Sequence, residues 1–99
     1  MQTGKLNLSD YLFMQFKTIT PSLDQVCDVY YPHLSRAKRL EKARNLEFPF
    51  FCFRIDDSQK SPYLVDILDL AFFLEKRYQA QHEDSKKFMQ SVLKSDQYR

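Results

Sequence analysis

Glycine is nearly absent from this chain, with Gly4 the single example among 99 residues. A loop that cradles phosphates on backbone amides uses several glycines at fixed spacing, so neither a Walker-type nor a dinucleotide-binding pattern is present. Cysteine is also sparse: Cys27 and Cys52 each sit inside an apolar run and are expected to be reduced core thiols, not a disulfide framework. His33 and His82 have no second His or Cys at ligand spacing, so no metal site is expected. The adjacent carboxylates Asp56 and Asp57 fall in a polar stretch and read as solvated. With no nucleophile, acid–base pair or metal set, the chain is expected not to be an enzyme and to need no cofactor. No apolar run is long enough to span a bilayer, and the start lacks the basic-then-apolar pattern of a secretory signal. A cytoplasmic protein with no membrane partner is therefore expected.

Aromatics are plentiful instead, at 15% of residues, and nine Phe and six Tyr supply much buried area for a single small core. Ser9 is a candidate cap for a short helix through Phe16, burying Tyr11, Leu12, Met14 or Phe16, although a strand also fits there. Thr20-Pro21-Ser22-Leu23-Asp24-Gln25 is a clear helix start, with Pro21 in the first turn and Ser22 and Gln25 spaced as a capping box. Leu23, Val26, Cys27 and Tyr30 then recur on one face, and Pro32 stops the helix. Ser35 opens a second helix to about Asn45, with Ala37, Leu40 and the stem of Arg44 expected inside and Ser35, Lys38, Arg39 and Lys42 outside.

Residues 49–55 read as a buried strand, 56–62 as a polar loop and Tyr63-Leu64-Val65 as a second strand, together a hairpin with a long tip. Asp66 precedes Ile67, Leu70, Ala71, Leu74 and Tyr78 at helical spacing. Beyond Gln79 the pattern turns polar until Phe88, Met89, Val92 and Leu93, a late apolar cluster on a continued or separate helix that suggests a partner or homodimer contact. The expected organisation is a flexible arm over 1–8, one domain over 9–78 and a helical tail over 79–99. The fold class is mainly α with a small β-hairpin. A tight turn between two helices, followed by a hairpin, predicts a winged helix-turn-helix.

Net charge is only +2, but it is distributed in blocks. Thr20–Pro32 contains acidic Asp24 and Asp28 alone, whereas His33–Arg54 carries Arg36, Lys38, Arg39, Lys42, Arg44 and Arg54 against Glu41 and Glu47. Base edges in a major groove are read by long donors at helical spacing, which points to Lys38, Arg39 and Lys42, with Ser35 and Arg36 at the helix tip. Arg39, at the middle of the expected outer face, is the residue expected to bond a guanine. Ser58, Gln59, Lys60 and Ser61 at the hairpin tip suit phosphate or minor-groove contact as well as they suit an ordinary polar turn. The partner so implied is double-stranded DNA.

Thr20-Pro21-Ser22-Leu23 with Val26-Cys27 and Tyr30-Tyr31, then Phe48-Pro49, then Asp57-Ser58-Gln59-Lys60-Ser61-Pro62-Tyr63-Leu64-Val65 with Asp69-Leu70-Ala71, resemble the pyocin activator protein (PrtN) family. The resemblance covers about Leu12 to Arg77, with Ser-Gln-Lys-Ser-Pro its most specific stretch. It implies a small transcription activator that binds DNA upstream of phage, prophage or bacteriocin genes in a bacterial host, with host RNA polymerase or another host protein as a further partner. It also favours DNA contact by Ser58, Gln59, Lys60 and Ser61, and more distantly the chain resembles winged helix-turn-helix domains of the excisionase or MerR kind. Two other functions fit the sequence: an excisionase-type factor that bends DNA with the same surface, and a phage-encoded protein that binds a host protein and never touches DNA, which the low net charge and the apolar cluster near Phe88 favour.

Overall fold

The computed structural model of the protein describes residues 7–97. Helix α1 (Leu8–Phe16) starts two residues earlier than expected, because Asn7 and not Ser9 is its cap: Asn7 Oδ1 accepts from Ser9 N at 3.0 Å and from Ser9 Oγ at 2.7 Å. Leu8 thus belongs to the helix, and of the expected arm residues 1–6 lie outside the described residues. Helix α1 ends on Lys17, in the left-handed region at φ 63°. Leu12 is fully buried, while Tyr11 and Met14 face solvent.

Helix α2 (Leu23–Tyr30) carries the expected capping box, with Gln25 N donating to Ser22 Oγ at 3.1 Å and Ser22 N to Gln25 Oε1 at 2.9 Å. Pro21 precedes the cap instead of entering the first turn, and its carbonyl accepts from Val65 N at 2.8 Å. After residues 31–35, helix α3 (Arg36–Arg44) starts at Ser35, whose Oγ accepts from Lys38 N at 3.2 Å.

Helix α3 ends without glycine. Leu46 takes the left-handed conformation at φ 56°, letting Glu47 N reach Lys42 O at 2.8 Å and Leu46 N reach Ala43 O at 3.2 Å. These two bonds satisfy the last carbonyls in the pattern that usually employs glycine at this position.

Strands β1 (Cys52–Arg54) and β2 (Tyr63–Val65) pair antiparallel, with Phe53 opposite Leu64. The strand expected over 49–55 is shorter because its partner runs out: Asp66 follows β2 directly and caps helix α4 (Ile67–Gln97), accepting from Leu68 N at 2.9 Å. Cys52 and Phe53 are half-buried and Arg54 is exposed, and the flanking Phe51 and Ile55 are exposed, so β1 is not a buried strand. Of the two alternatives for the tail, one continuous helix is observed. Its 31 residues span about 46 Å at 1.5 Å per residue. The projection gives extents of 66 × 35 × 17 Å and a radius of gyration of 18.1 Å, against about 13 Å for a compact domain of this length.

The core gathers Leu12, Val26, Cys27, Val65, Ile67 and Leu70 around the stacked rings of Phe48 and Phe50, 5.1 Å apart, with Tyr31 edge-on to Phe48 at 5.4 Å. Each such aliphatic side chain contributes roughly 1.5–3 kcal/mol when fully buried. The hairpin is fixed at both ends: Ser22 bridges Leu64, Ile67 N donates to Ile19 O at 3.1 Å, and Phe51 N donates to Asp69 Oδ2 at 2.6 Å. No helix among the described residues is long and apolar enough to cross a membrane.

Candidate nucleic-acid interface

Helix α3 has almost no apolar side to bury, and Ala43 is its one buried hydrophobic residue. Charge orients it instead. Arg39 lies against α2, 8% exposed, and Nη1 donates to Asp28 Oδ1 at 2.9 Å and to Asp24 Oδ1 at 3.2 Å, while Nε donates to the Leu34 carbonyl at 3.0 Å. Asp24 and Asp28 are one helical turn apart, so both carboxylates meet the same guanidinium. The hydrogen bond to Asp28, then that to Asp24, raises the Arg39 pKa against the opposing effect of burial.

This overturns the expected rotation of α3. Arg39, expected at the middle of the exposed face, is turned inward, and Ala37 and Leu40, expected inside, are exposed. Arg44 is likewise exposed and supplies no buried stem. The physical reason is that a buried arginine with two carboxylate partners and a carbonyl is satisfied, whereas Ala37 and Leu40 offer little area to compete.

The other basic side chains of α3 stay at the surface. Arg36 Nη2 is 3.3 Å from Asp24 Oδ2, and Lys38 Nζ is 3.3 Å from Glu41 Oε1. Lys42 is half-buried, 3.9 Å from Glu47 Oε1 and 5.6 Å above the Phe48 ring. Exposed pairs of this kind are worth about 0–1 kcal/mol, so a phosphate can replace the carboxylate at little cost. Ser35 is exposed, its oxygen already engaged in capping.

The hairpin tip folds on its own polar atoms. Asp56 Oδ1 accepts from Ser58 N at 2.9 Å, Ser58 Oγ accepts from Lys60 N at 3.2 Å, and the Ser58 carbonyl accepts from Ser61 N at 3.0 Å and from Arg54 Nη1 at 3.3 Å. Asp56 and Ser58 are thus turn-forming residues. Gln59 and Lys60 are exposed and Ser61 is half-buried. The structure brings Ser58, Gln59, Lys60 and Ser61 together on one loop and Ser35, Arg36, Lys38 and Lys42 together on one helix. Among the described residues, no hydrogen bond or ion pair joins the loop to α3.

Sequence reasoning overlooked Asp24 and Asp28 as partners of α3. The available signal was their spacing of four in an acidic block directly before a basic one. It also overlooked the outward position of Arg44. Burial pushes both thiols up, to about 11 for Cys27 and about 11 for Cys52, which keeps them protonated at neutral pH. Among the described residues no cluster of His, Cys, Asp and Glu is arranged to hold a metal ion.

No curated protein and no solved structure matches the chain. Residues 9–81, which run from α1 through both helices of the charged clamp and the hairpin into α4, match the family model described as pyocin activator protein PrtN, and the chain belongs to that family.

Proposed function

We propose that the protein is a sequence-specific, DNA-binding transcriptional activator of phage, prophage or bacteriocin genes. In this reading α2, the turn and α3 form a helix-turn-helix, α3 enters the major groove, and the hairpin is a wing whose Ser58, Gln59, Lys60 and Ser61 touch backbone or minor groove. The observation that carries it is the clamp of Asp24 and Asp28 on Arg39: α2 holds α3 at a fixed rotation, with Ser35, Arg36 and Lys38 exposed at its leading end. Lys42 on α3 and Lys60 on the hairpin loop are further cations in this reading. The family's printed description, an activator protein, agrees with a role in gene expression. Selection of bound sequences from a random duplex pool tests it: enrichment of one motif is expected, and a pool that stays random overturns it.

A second reading has one observation of its own. Tyr78, Phe88, Met89, Val92 and Leu93 are exposed along the projecting part of α4, which favours a protein contact, either a second copy or a host protein. Truncation after Tyr78 is expected to leave a folded domain with weaker binding to paired half-sites. Unchanged solution mass and unchanged affinity would remove the tail from the account.

A further inference from the structure

The inward turn of Arg39 leaves a different set of side chains on the outer face of α3. Arg39 and Ala43 define the buried side and Lys42 lies half-buried beside them. A helix repeats every 3.6 residues, so the opposite side is centred on Ala37, Glu41 and Arg44, with Leu40 beside them. Leu40 is 40% exposed and Ala37 is exposed next to it, one turn back along the helix.

Arg44 differs from the other cations of this helix. Arg36, Lys38, Arg39 and Lys42 each lie within 4 Å of a carboxylate, at 3.3, 3.3, 2.9 and 3.9 Å. For Arg44 the described residues supply neither an ion pair nor a side-chain hydrogen bond. Arg36 is drawn toward α2 by Asp24, whereas Arg44 lies on the outer side beside Glu41, on one stripe with Leu40 and Ala37.

We infer that Arg44, Leu40 and Ala37 form the base-reading face of α3, Arg44 bonding a guanine edge and Leu40 with Ala37 packing on a thymine methyl. The inference rests on the DNA-binding reading above. A guanidinium spans guanine O6 and N7 with two donors, and the thymine methyl is the apolar group that the major groove presents. Arg44 and Leu40 are four residues apart, about 6 Å along the helix, so the guanine and thymine they read lie about two base pairs apart. The methyl of Ala37 keeps the groove floor close to the helix on that side. The clamp at Arg39 fixes the rotation, so these three side chains meet the bases without reorienting the helix.

The test pairs protein variants with base analogues on the duplex preferred by the wild-type protein. Replacing one guanine by 7-deazaguanine is expected to weaken wild-type binding, and Arg44→Ala is expected to remove both the preference at that position, by about 5- to 150-fold, and the sensitivity to the analogue. Leu40→Ala is expected to abolish the effect of replacing one thymine by uracil, which lacks the methyl. Both side chains are at the surface, so thermal melting of the variants should match the wild type. Equal loss by Arg44→Ala on preferred and scrambled duplexes, or retained sensitivity to 7-deazaguanine, overturns the inference while leaving DNA binding in place. A wild-type protein that prefers no duplex overturns both.

Discussion

Helices α3 and α4 are oriented by opposite means. The first turns of α4 are fixed by burial of Ile67, Leu70 and Ala71, whereas α3 buries one alanine and is fixed by Arg39 between Asp24 and Asp28. Apolar burial is non-directional, so α4 is secured along a stripe, while the charge clamp secures α3 at a single point and fixes its rotation. A stripe suits a helix that must stay packed. A single directional clamp suits a helix whose remaining surface is left free for another molecule.

The largest expected effect lies on α4. Leu70→Ala removes a fully buried side chain and should lower stability by roughly 2–5 kcal/mol, read by denaturant unfolding. A loss comparable to a surface substitution would break the contrast. Arg39→Met keeps the stem and removes the donors. It should lower the melting temperature less than Leu70→Ala does, and should weaken binding to preferred and scrambled duplexes together, because α3 loses its rotation while Asp24 and Asp28 lose their partner. Selective loss of sequence preference would instead restore Arg39 as a base reader. Ser35→Ala removes the cap of α3 and should cost about 1 kcal/mol, with fraying visible in amide exchange at Arg36–Lys38.

A separate effect is confined to alkaline pH. The folded-state values of Cys27 and Cys52, about 11 each, lie above their ordinary 9.0, and burial also raises Tyr30 and Tyr31 above 10.0. Groups held protonated by folding contribute stability in full below the unfolded value and lose it as pH climbs to the folded one. Melting temperature should therefore be insensitive to these thiols at pH 7–8 and decline between pH 9 and about 11. Thiol reagents at pH 8 should react with the unfolded chain much faster than with the folded one, and equal rates would contradict the burial of Cys27.

The sequence pattern located what depends on near neighbours. Ser22 with Gln25 and Ser35 with the Lys38 amide are contacts three residues apart, and the Ile67–Leu70–Ala71 stripe repeats within one helix. The rotation of α3 escaped it because the deciding partners lie 11 and 15 residues away on α2, and because a helix with so few apolar residues has a weak periodic signal. Leu46 at φ 56° was equally illegible: the chain places no glycine there, so the turn that ends α3 has no residue to mark it. Of the residues expected to touch DNA, Ser35, Arg36, Lys38, Ser58, Gln59 and Lys60 are exposed, Lys42 and Ser61 are half-buried, and Arg39 is turned inward against Asp24 and Asp28.

The most direct test of DNA binding through this surface is the salt dependence of affinity for the preferred duplex. Phosphate contacts from Arg36, Lys38, Lys42 and Lys60 should give a slope of about −3.6 in log affinity against log salt, from roughly −0.9 per contact. A slope near zero would contradict it.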